Sequence, residues 1–270
     1  MPALIPLDAR APFAAPLFDI AATRRIEAAA AAALPAHTLM PRAGTAVARL
    51  ALALAPHARC VWIACGPGNN GGDGLEAAMH LRQWGANPVV TWLGDEARLP
   101  GDARASLRRA RAAGVCFADT PPALGAHDLA IDALLGIGAT RAPAGRMAEV
   151  LAQLHASAAP LLAVDAPTGL DVDTGVFSAS LPAHQAGKPM HTLALLTLKP
   201  GLFTAHGRDA CGTLWFDDLS VNTADEAPTA RLNAPPPPAP RAHASHKGSF
   251  GDVAIIGGAA DMGGAAYLAA

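Results

Sequence analysis

The feature that most constrains the fold is an alternation of short apolar runs with helix-forming stretches, which continues from about residue 20 to about residue 221. The apolar runs, such as CVWIAC at 60–65, predict buried strands. The stretches between them, such as the Ala- and Arg-rich segment 102–114, predict helices. Repeated alternation of this kind predicts an α/β fold: a doubly wound, Rossmann-like, mostly parallel sheet with helices on both faces in three layers.

The same patterns predict where the elements lie. Strands are expected in the runs 60–65, 87–94, 115–119, 128–136, 160–169, 193–198 and 211–221, several of which continue into a loop. Helices are expected from Thr23 to near Pro35, from Thr45 to Leu54, from Leu75 to Trp84 and over 102–114. With 51% apolar residues, the chain can bury a sizeable core in one large or two modest domains.

The chain divides where its composition changes sharply. Residues 1–223 carry the alternation and are predicted to form one domain, whereas 224–242 include four consecutive prolines and predict an extended linker. Residues 243–270 contain a glycine loop, an apolar strand, a second glycine loop and the first turns of a helix. A segment of this length cannot bury a core of its own, so we expect it to be the incomplete start of a second domain.

Charge and hydropathy argue against several classes of partner. A net charge of -2 gives no electrostatic reason to bind nucleic acid or an anionic membrane. We expect no membrane span, and the N-terminus lacks the basic and apolar regions of a signal peptide. The four cysteines form no C-x-x-C pair and predict buried thiols in a reducing cytoplasm.

The segment CGPGNNGGDG (65–74) contains the dinucleotide fingerprint G-x-G-x-x-G between a predicted strand and a predicted helix. Asp73 argues against a phosphate site, because a carboxylate at the helix start would repel a pyrophosphate. Asn69, Asn70 and Asp73 instead offer amides and a carboxylate, which suit hydroxyls, a carboxamide or a hard cation. The simpler alternative is that Asp73 only caps the helix and the Asn-Gly run is a tight turn.

Two further loops place aspartates beside Gly or Pro at the ends of predicted strands. Asp132 precedes the glycine loop 136–138, and Asp165 precedes a Pro turn that contains Thr168. Each aspartate alone is typical of a turn or a helix cap. Because ligands of open α/β sheets bind outside the carboxyl ends of the strands, the three loops together predict a polar site there.

Taken in this order, four segments resemble the NAD(P)H-hydrate epimerase domain, the N-terminal domain of the NAD(P)H-hydrate repair enzymes: NNGGDG (69–74), DALLGIG (132–138), VDAPTGLD (164–171) and LKPGL (198–202). The resemblance covers roughly residues 15–222. LMPRAG (39–44) is similar to the family's helical entry segment, with Pro41 where an acid is expected. The tail, 246–270, resembles the start of the ADP-dependent NAD(P)H-hydrate dehydratase, a ribokinase-like domain often fused after the epimerase in bacteria.

The resemblance implies an isomerase that interconverts the R and S epimers, at ring carbon 6, of hydrated NADH or NADPH. It implies no dehydratase activity in these 270 residues, only in a longer bifunctional parent. The partner would be this small molecule, with no nucleic acid and no membrane, and a homo-oligomer is left open. The implied substrate contacts are Asn69, Asn70, Gly71, Gly72, Asp73, Gly136, Ile137, Gly138, Ala139, Thr140, Arg141, Ala142 and Asp165.

The family also binds a potassium ion, and the matching positions are Asn70, Asp132 and Thr168. Family members often carry serine where Thr168 stands, and threonine keeps the hydroxyl. Oxygen donors of this kind are what a hard monovalent cation prefers.

Inverting carbon 6 requires loss and return of the hydroxyl, or reversible opening of the ring, and both routes need proton transfer to or from oxygen. Asp165 is the first candidate for this catalytic role, because it ends a predicted central strand and precedes a Pro turn; Asp73 is the second. Lys199 is a possible cationic contact, although a lysine at a strand end is more often a surface residue. Arg141 is equally a phosphate contact or an exposed loop arginine.

Other functions remain open from the sequence. A non-catalytic nucleotide-binding module acting through a protein partner is the alternative, although the presence of Asp165, Asp132 and Asn70 argues against it. A dehydrogenase would need an acid about 20 residues beyond the glycines, and Asp95 is the nearest candidate, but no catalytic tyrosine partner is in view. A sugar or vitamin kinase is what the tail alone would suggest.

Overall fold

The computed structural model describes residues 5–6, 15–138, 141–177, 188–233, 243–252, 254–258 and 264–269. The chain forms two compact units, Met1–Pro235 and Pro236–Ala270.

The first unit is built on a sheet with strand order β1-β9-β8-β7-β6-β3-β4-β5. Seven of these strands run parallel, and β1 pairs antiparallel with β9 at one edge. The strands are β1 Ile5–Pro6, β2 Pro16–Leu17, β3 Val61–Cys65, β4 Pro88–Trp92, β5 Cys116–Phe117, β6 Leu129–Ala133, β7 Leu161–Val164, β8 Met190–Leu195, β9 Thr213–Asp217 and β10 Ala230–Arg231. The predicted parallel α/β sheet is confirmed.

Helices cover both faces of this sheet. They are α1 Ile20–Ala33, α2 Leu39–Leu54, α3 Asn69–Gln83, α4 Gly101–Ala112, α5 Arg146–Ala156 and α6 Gly207–Ala210. Alternate residues of β3 lie on opposite faces of the sheet. Val61 and Ile63 pack in the core formed with α1–α4, whereas Trp62 and Ala64 pack in the core formed with α5. Since successive side chains of a strand point to opposite faces, the run VWIAC is apolar throughout because both of its faces are buried.

The strand order creates a switch point beside β3. From β3 the chain continues to β4 and β5 in one direction, whereas from β6 it continues to β7, β8 and β9 in the other. The loops that follow the adjacent strands β3 and β6 therefore diverge and leave a crevice, which is where open α/β sheets bind ligands.

Helix α3 begins at Asn69, so the prediction that the helix starts at Leu75 is wrong. Gly68 is extended, and its carbonyl accepts the first helical hydrogen bond from Gly72 N–H at 3.1 Å. Three glycines early in a helix lower its intrinsic propensity, and tertiary packing overrides that preference. The alternative that Asp73 caps the helix is also wrong, because Gly68 holds the cap position and Asp73 lies inside the helix.

The glycines of α3 are required by close packing. A β-carbon on Gly71 would lie 2.1 Å from Gly66 O, one on Gly72 would lie 2.9 Å from the Cα of Ala103 in α4, and one on Gly74 would lie 2.6 Å from Cβ of Ala133 in β6. The first turns of α3 therefore contact the loop after β3, the neighbouring helix and the neighbouring strand.

Part of the predicted linker is packed on the first unit. Strand β10 pairs antiparallel with β2, Thr229 N–H donates to Leu17 O and Leu232 N–H donates to Ala15 O, both at 2.9 Å. Glu226 pairs with Arg25 of α1 at 2.7 Å. Residues 224–233 therefore belong to the first compact unit, because backbone pairing holds a segment that lacks apolar periodicity.

The second unit contains a 3-10 turn at Lys247–Phe250 and helix α7 at Gly264–Ala269. The helix agrees with the predicted turns at the end of the tail. The described residues 254–258, where a strand was predicted, lie in no strand.

Candidate active site

A cleft of about 730 Å³ opens at the carboxyl ends of the central strands of the first unit. It is lined by helix α1, by the loops after β3 and β6, and by residues that follow β7 and β8. The N-terminal ends of α2, α3 and α4 also reach it, through Thr38, Asn69 and Asp102. Helix N-termini carry partial positive charge, which the carboxyl groups of Asp73 in α3 and Asp102 in α4 oppose at two of these three ends. The volume suits a ligand of drug-like or nucleotide size.

Asp165 lies at this cleft, directly after β7, in a left-handed backbone conformation with φ +67. Its N–H donates to Leu193 O, and the following Ala166 N–H donates to Val164 O, both at 2.8 Å. Leu195 N–H donates to Asp165 Oδ1 at 3.3 Å. Non-glycine residues with positive φ are costly by about 1–3 kcal/mol and cluster at functional sites.

Lys199 is fully buried and pairs with Asp165, so the prediction of a surface lysine is wrong. Its ammonium contacts Asp165 Oδ1 and donates to Leu195 O at 2.8 Å. The chain reverses directly after β8, at Leu196 with φ +65, and Thr197 N–H donates to Leu195 O at 2.7 Å. A buried ammonium is tolerated here because both a carboxylate and a carbonyl accept from it.

Asp73 lies in α3 and lines the same cleft. Among the described residues, its carboxyl group accepts no hydrogen bond and forms no ion pair. Burial raises the pKa of Asp73 well above its usual range, and the neighbouring carboxylates of Asp165, Glu27, Glu76 and Asp102 raise it further. The environments of Asp73 and Asp165 therefore differ: one lacks a counter-charge and the other has a buried lysine.

Asp132 and Thr168 form a buried pair beside this cleft. Thr168 Oγ1 donates to Asp132 Oδ1 at 2.7 Å, and Thr168 N–H donates to Asp132 Oδ2 at 3.0 Å. Two N–H groups of the loop after β6 join them: Leu134 N–H donates to Asp132 Oδ1 at 3.1 Å, and Leu135 N–H donates to Thr168 Oγ1 at 3.0 Å. Burial raises the pKa of Asp132, while these hydrogen bonds lower it.

Asn70 lies next to the same loop. Its side chain faces Gly136, where an added β-carbon would approach Asn70 Oδ1 to 3.1 Å. Asn70 Nδ2 is buried and has no hydrogen-bond partner. A half-turn of the carboxamide exchanges its nitrogen and oxygen, so this position equally presents an unpaired acceptor. With the Asp132 carboxylate, which has no cationic partner among the described residues, and the Thr168 hydroxyl, the donor set fits a hard monovalent cation.

The other predicted substrate contacts divide into four groups. Asn69 and the loop residues Gly136, Ile137 and Gly138 line the cleft. Gly71 and Gly72 are buried in the packing of α3, and the exposed Arg141 and half-buried Ala142 do not line the cleft. Ala139 and Thr140 lie outside the described residues.

Several residues that line the cleft were not predicted from the sequence. Glu27 and Arg24 come from α1, and His37 pairs with Asp102 across the start of α4. Burial, followed by the charge of Asp165, raises the pKa of Glu27. The sequence signal for α1 is an Ala-rich helical pattern in which Glu27 is the fourth residue after Thr23. That pattern predicts a helix but does not show that its Glu27 side lines the cleft.

Two absences hold for the described part of the chain. No helix in it is long and apolar enough to span a bilayer. It also contains no group of three or more His, Cys, Asp or Glu side chains arranged to hold a metal ion.

Curated relatives of the chain are repair enzymes of hydrated nicotinamide nucleotides. The bifunctional NAD(P)H-hydrate repair enzyme of Escherichia coli (strain K12) is 35% identical over 241 residues, which cover 86% of this chain and 45% of that protein. That of Vibrio cholerae is 36% identical over 256 residues, or 90% of this chain and 50% of that protein. The NAD(P)H-hydrate epimerase of Rhodopirellula baltica is 40% identical over 147 residues, or 53% of this chain and 60% of that protein.

A solved structure supports the fold. The crystal structure of the yeast protein ynu0 matches with a TM-score of 0.57 and 23% identity, covering 74% of this chain and 87% of the yeast chain. The chain spans about half the length of the curated relatives it matches first.

A family model described as YjeF-related protein N-terminus matches residues 36–201. The chain therefore belongs to the family of YjeF-related protein N-terminal domains.

Proposed function

We propose that the chain is an isomerase, an NAD(P)H-hydrate epimerase, that interconverts the R and S epimers of hydrated NADH and NADPH. The observation that carries this proposal is the meeting of Asp165, Asp73 and the Asn69–Asn70 pair at one cleft beside the β3–β6 switch point. The names of the relatives, NAD(P)H-hydrate epimerase and bifunctional NAD(P)H-hydrate repair enzyme, support the same activity.

The chemistry of the cleft suits this substrate. Carboxyl and amide groups can hydrogen-bond the added hydroxyl and the carboxamide of the hydrated ring. The N-terminal end of α2, which has no acidic residue in its first turn, supplies partial positive charge for the diphosphate. The loop residues Gly136, Ile137 and Gly138, which line the cleft, would contribute further substrate contacts.

Asp165 is the proposed proton-transfer group. It lies at the cleft, and the Lys199 ammonium in contact with its Oδ1 places a positive charge beside the carboxyl group. The turn after β7 and the hydrogen bond from Leu195 N–H hold the carboxylate in one place. Fixed placement of a base is what converts proton transfer into an efficient step.

Potassium is the proposed cofactor. The Asp132 carboxylate, the Thr168 hydroxyl and the Asn70 amide oxygen would hold it. The ion would supply a positive charge that offsets the buried Asp132 carboxylate and steadies the loop after β6. This role is consistent with the unpaired amide of Asn70 and with the all-oxygen donor set.

The test is an epimerisation assay with purified R and S hydrates of NADPH supplied separately and potassium present. We expect the chain to accelerate interconversion above the spontaneous rate, measured by chromatography, and Asp165→Asn to abolish that acceleration. Asp225→Asn, on an exposed segment away from the cleft, is the matched control and should keep the wild-type rate. If the wild-type chain matches the blank while still binding the hydrates, the non-catalytic binding module replaces this proposal.

The cytoplasm is the proposed compartment, because Cys60, Cys65, Cys116 and Cys211 are all free thiols. We further propose that a longer parent protein continues from the tail into an ADP-dependent dehydratase domain, consistent with bifunctional relatives of about twice this length. A homo-oligomer is a compatible assembly.

A further inference from the structure

We propose that the two aspartates of the cleft have different roles: Asp165 removes a proton from the substrate, Asp73 delivers one, and Lys199 is the positioning residue that holds Asp165. This inference rests on the proposed epimerase activity and assigns the acid and the base at the same site. It adds two residues, Asp73 as the acid and Lys199 as the support of the base.

The case for Asp165 as the base is geometric. Lys199 Nζ contacts Asp165 Oδ1, and the lysine is 1% exposed at its side chain while the aspartate is 13% exposed. Lys199 is anchored by Leu195 O at 2.8 Å and Asp165 by Leu195 N–H at 3.3 Å, so one residue of β8 fixes both partners. The carboxylate therefore faces the cleft with a fixed positive charge behind it.

The case for Asp73 as the acid is the contrast with Asp165. Asp73 lines the same cleft from α3, but no cation pairs with it among the described residues. Two of the basic residues that line the cleft pair with other carboxyl groups: Lys199 with Asp165 and His37 with Asp102. Arg24 also lines the cleft, from the exposed face of α1.

The carboxyl groups around Asp73 come from four elements. They are Asp165 after β7, Glu27 in α1, Glu76 in α3 and Asp102 in α4. Burial and these negative charges raise the pKa of Asp73, which favours the neutral acid that a proton donor requires. Two carboxyl groups whose environments differ in this way are the arrangement from which acid and base roles are assigned.

The proton balance closes for reversible ring opening. Asp165 takes the proton of the carbon-6 hydroxyl, the oxygen forms a carbonyl, the bond between carbon 6 and ring nitrogen breaks, and the nitrogen takes the proton of Asp73. After rotation of the freed aldehyde, the nitrogen attacks the other face of the carbonyl. Asp73 then recovers its proton from nitrogen and Asp165 returns its proton to oxygen, so both groups regain their starting states within one cycle.

The first test is the pH dependence of kcat for wild type, Asp73→Asn, Lys199→Met and Lys199→Arg. We expect a bell-shaped profile for the wild-type chain. Asp73→Asn should lower kcat by about 100-fold or more and remove the alkaline limb, with little change in KM. Lys199→Met should move the acidic limb to higher pH, because Asp165 loses its counter-charge, and Lys199→Arg should move it back. An unchanged alkaline limb in Asp73→Asn, or an unchanged acidic limb in Lys199→Met, overturns the inference while leaving the epimerase activity standing.

A second test needs no turnover. Carbon-13 NMR of the ligand-free chain, with Asp73→Asn used to assign the resonance, reports the protonation of the Asp73 carboxyl directly. We expect it to be neutral at a pH where the Asp165 resonance, assigned with Asp165→Asn, is that of a carboxylate. If both are ionised at neutral pH, the inference fails whatever the activity. If wild type shows no epimerisation, the proposed function fails and the NMR result still decides the charge states.

Discussion

The contact between Thr168 and Asp132 can be tested by deleting one oxygen atom. Thr168→Val keeps the shape of the side chain and removes the hydroxyl. It abolishes the 2.7 Å hydrogen bond that Thr168 Oγ1 donates to Asp132 Oδ1 and the 3.0 Å bond that Oγ1 accepts from Leu135 N–H. Two backbone donors to Asp132 remain, from Leu134 and from Thr168 itself.

The expected loss of unfolding free energy follows from those two bonds. A hydrogen bond to a charged group contributes about 1.5–3 kcal/mol, and a buried donor left without a partner costs at least about 1 kcal/mol. Leu135 is half-buried, so water partly replaces the lost acceptor. We expect Thr168→Val to destabilise the chain by about 3 kcal/mol.

Thr192→Val is the matched control. Thr192 is equally buried, but its hydroxyl donates to an uncharged group, Cys211 O, at 3.0 Å. Its loss should cost about 1 kcal/mol. Urea unfolding of both variants and of wild type, in buffer without potassium, measures the difference.

The same measurement repeated with potassium separates structure from cofactor binding. A ligand that binds only the folded state stabilises it. Potassium should therefore stabilise wild type and Thr192→Val, but Thr168→Val much less. Equal losses for the two variants in potassium-free buffer would refute the reasoning about the Asp132 pair.

Three further predictions concern packing, charge and thiols. Gly71→Ala should destabilise the chain by about 3 kcal/mol or more, because the new β-carbon would lie 2.1 Å from Gly66 O. Gly101→Ala is the control: its new β-carbon would have no atom within 4 Å, so the urea midpoint should change little. Burial and nearby carboxylates raise the pKa of Asp73. Its contribution to the free energy of unfolding is therefore complete at acid pH and is lost as pH rises through the raised pKa of the folded state. Asp73→Asn should have a higher melting temperature than wild type at neutral pH, but not at a pH below the usual aspartate pKa of about 3.9. Cys116 is exposed and should react with a thiol reagent in the native chain, whereas Cys211, whose pKa burial raises to about 12, should react only after unfolding; rapid native labelling of Cys211 would contradict its burial.

The sheet was predictable because its signal is local. The central strands β3, β6 and β7 are buried along their whole length, and the first of them therefore appears as a continuous apolar run at 60–65. The placement of Asp132 and Asp165 at strand ends follows from the same runs, since parallel strands bring their carboxyl ends to one edge.

What the sequence did not predict depends on contacts between distant segments. The burial of Lys199 requires the reversal at Leu196 and the position of Asp165 on the adjacent strand, and neither is visible in LKPGL itself. Glu27 and His37 reach the cleft because α1 and the start of α2 lie over it. The docking of 224–233 depends on backbone pairing with residues 15–17, which leaves no side-chain pattern.

The glycines of the segment 65–74 have a consequence for how the dinucleotide fingerprint is interpreted. The first and third glycines of G-x-G-x-x-G meet protein backbone: β-carbons there would approach Leu134 O and Gly66 O to 1.8 Å and 2.1 Å. Only the second, Gly68, has nothing within 4 Å and borders the cleft. Two of the three glycines thus report how closely the loops after β3 and β6 and the start of α3 approach one another, whatever ligand is bound. A search for redox-cofactor sites should therefore weigh the residues between and after the glycines, here a pair of asparagines and an aspartate, more heavily than the glycines themselves.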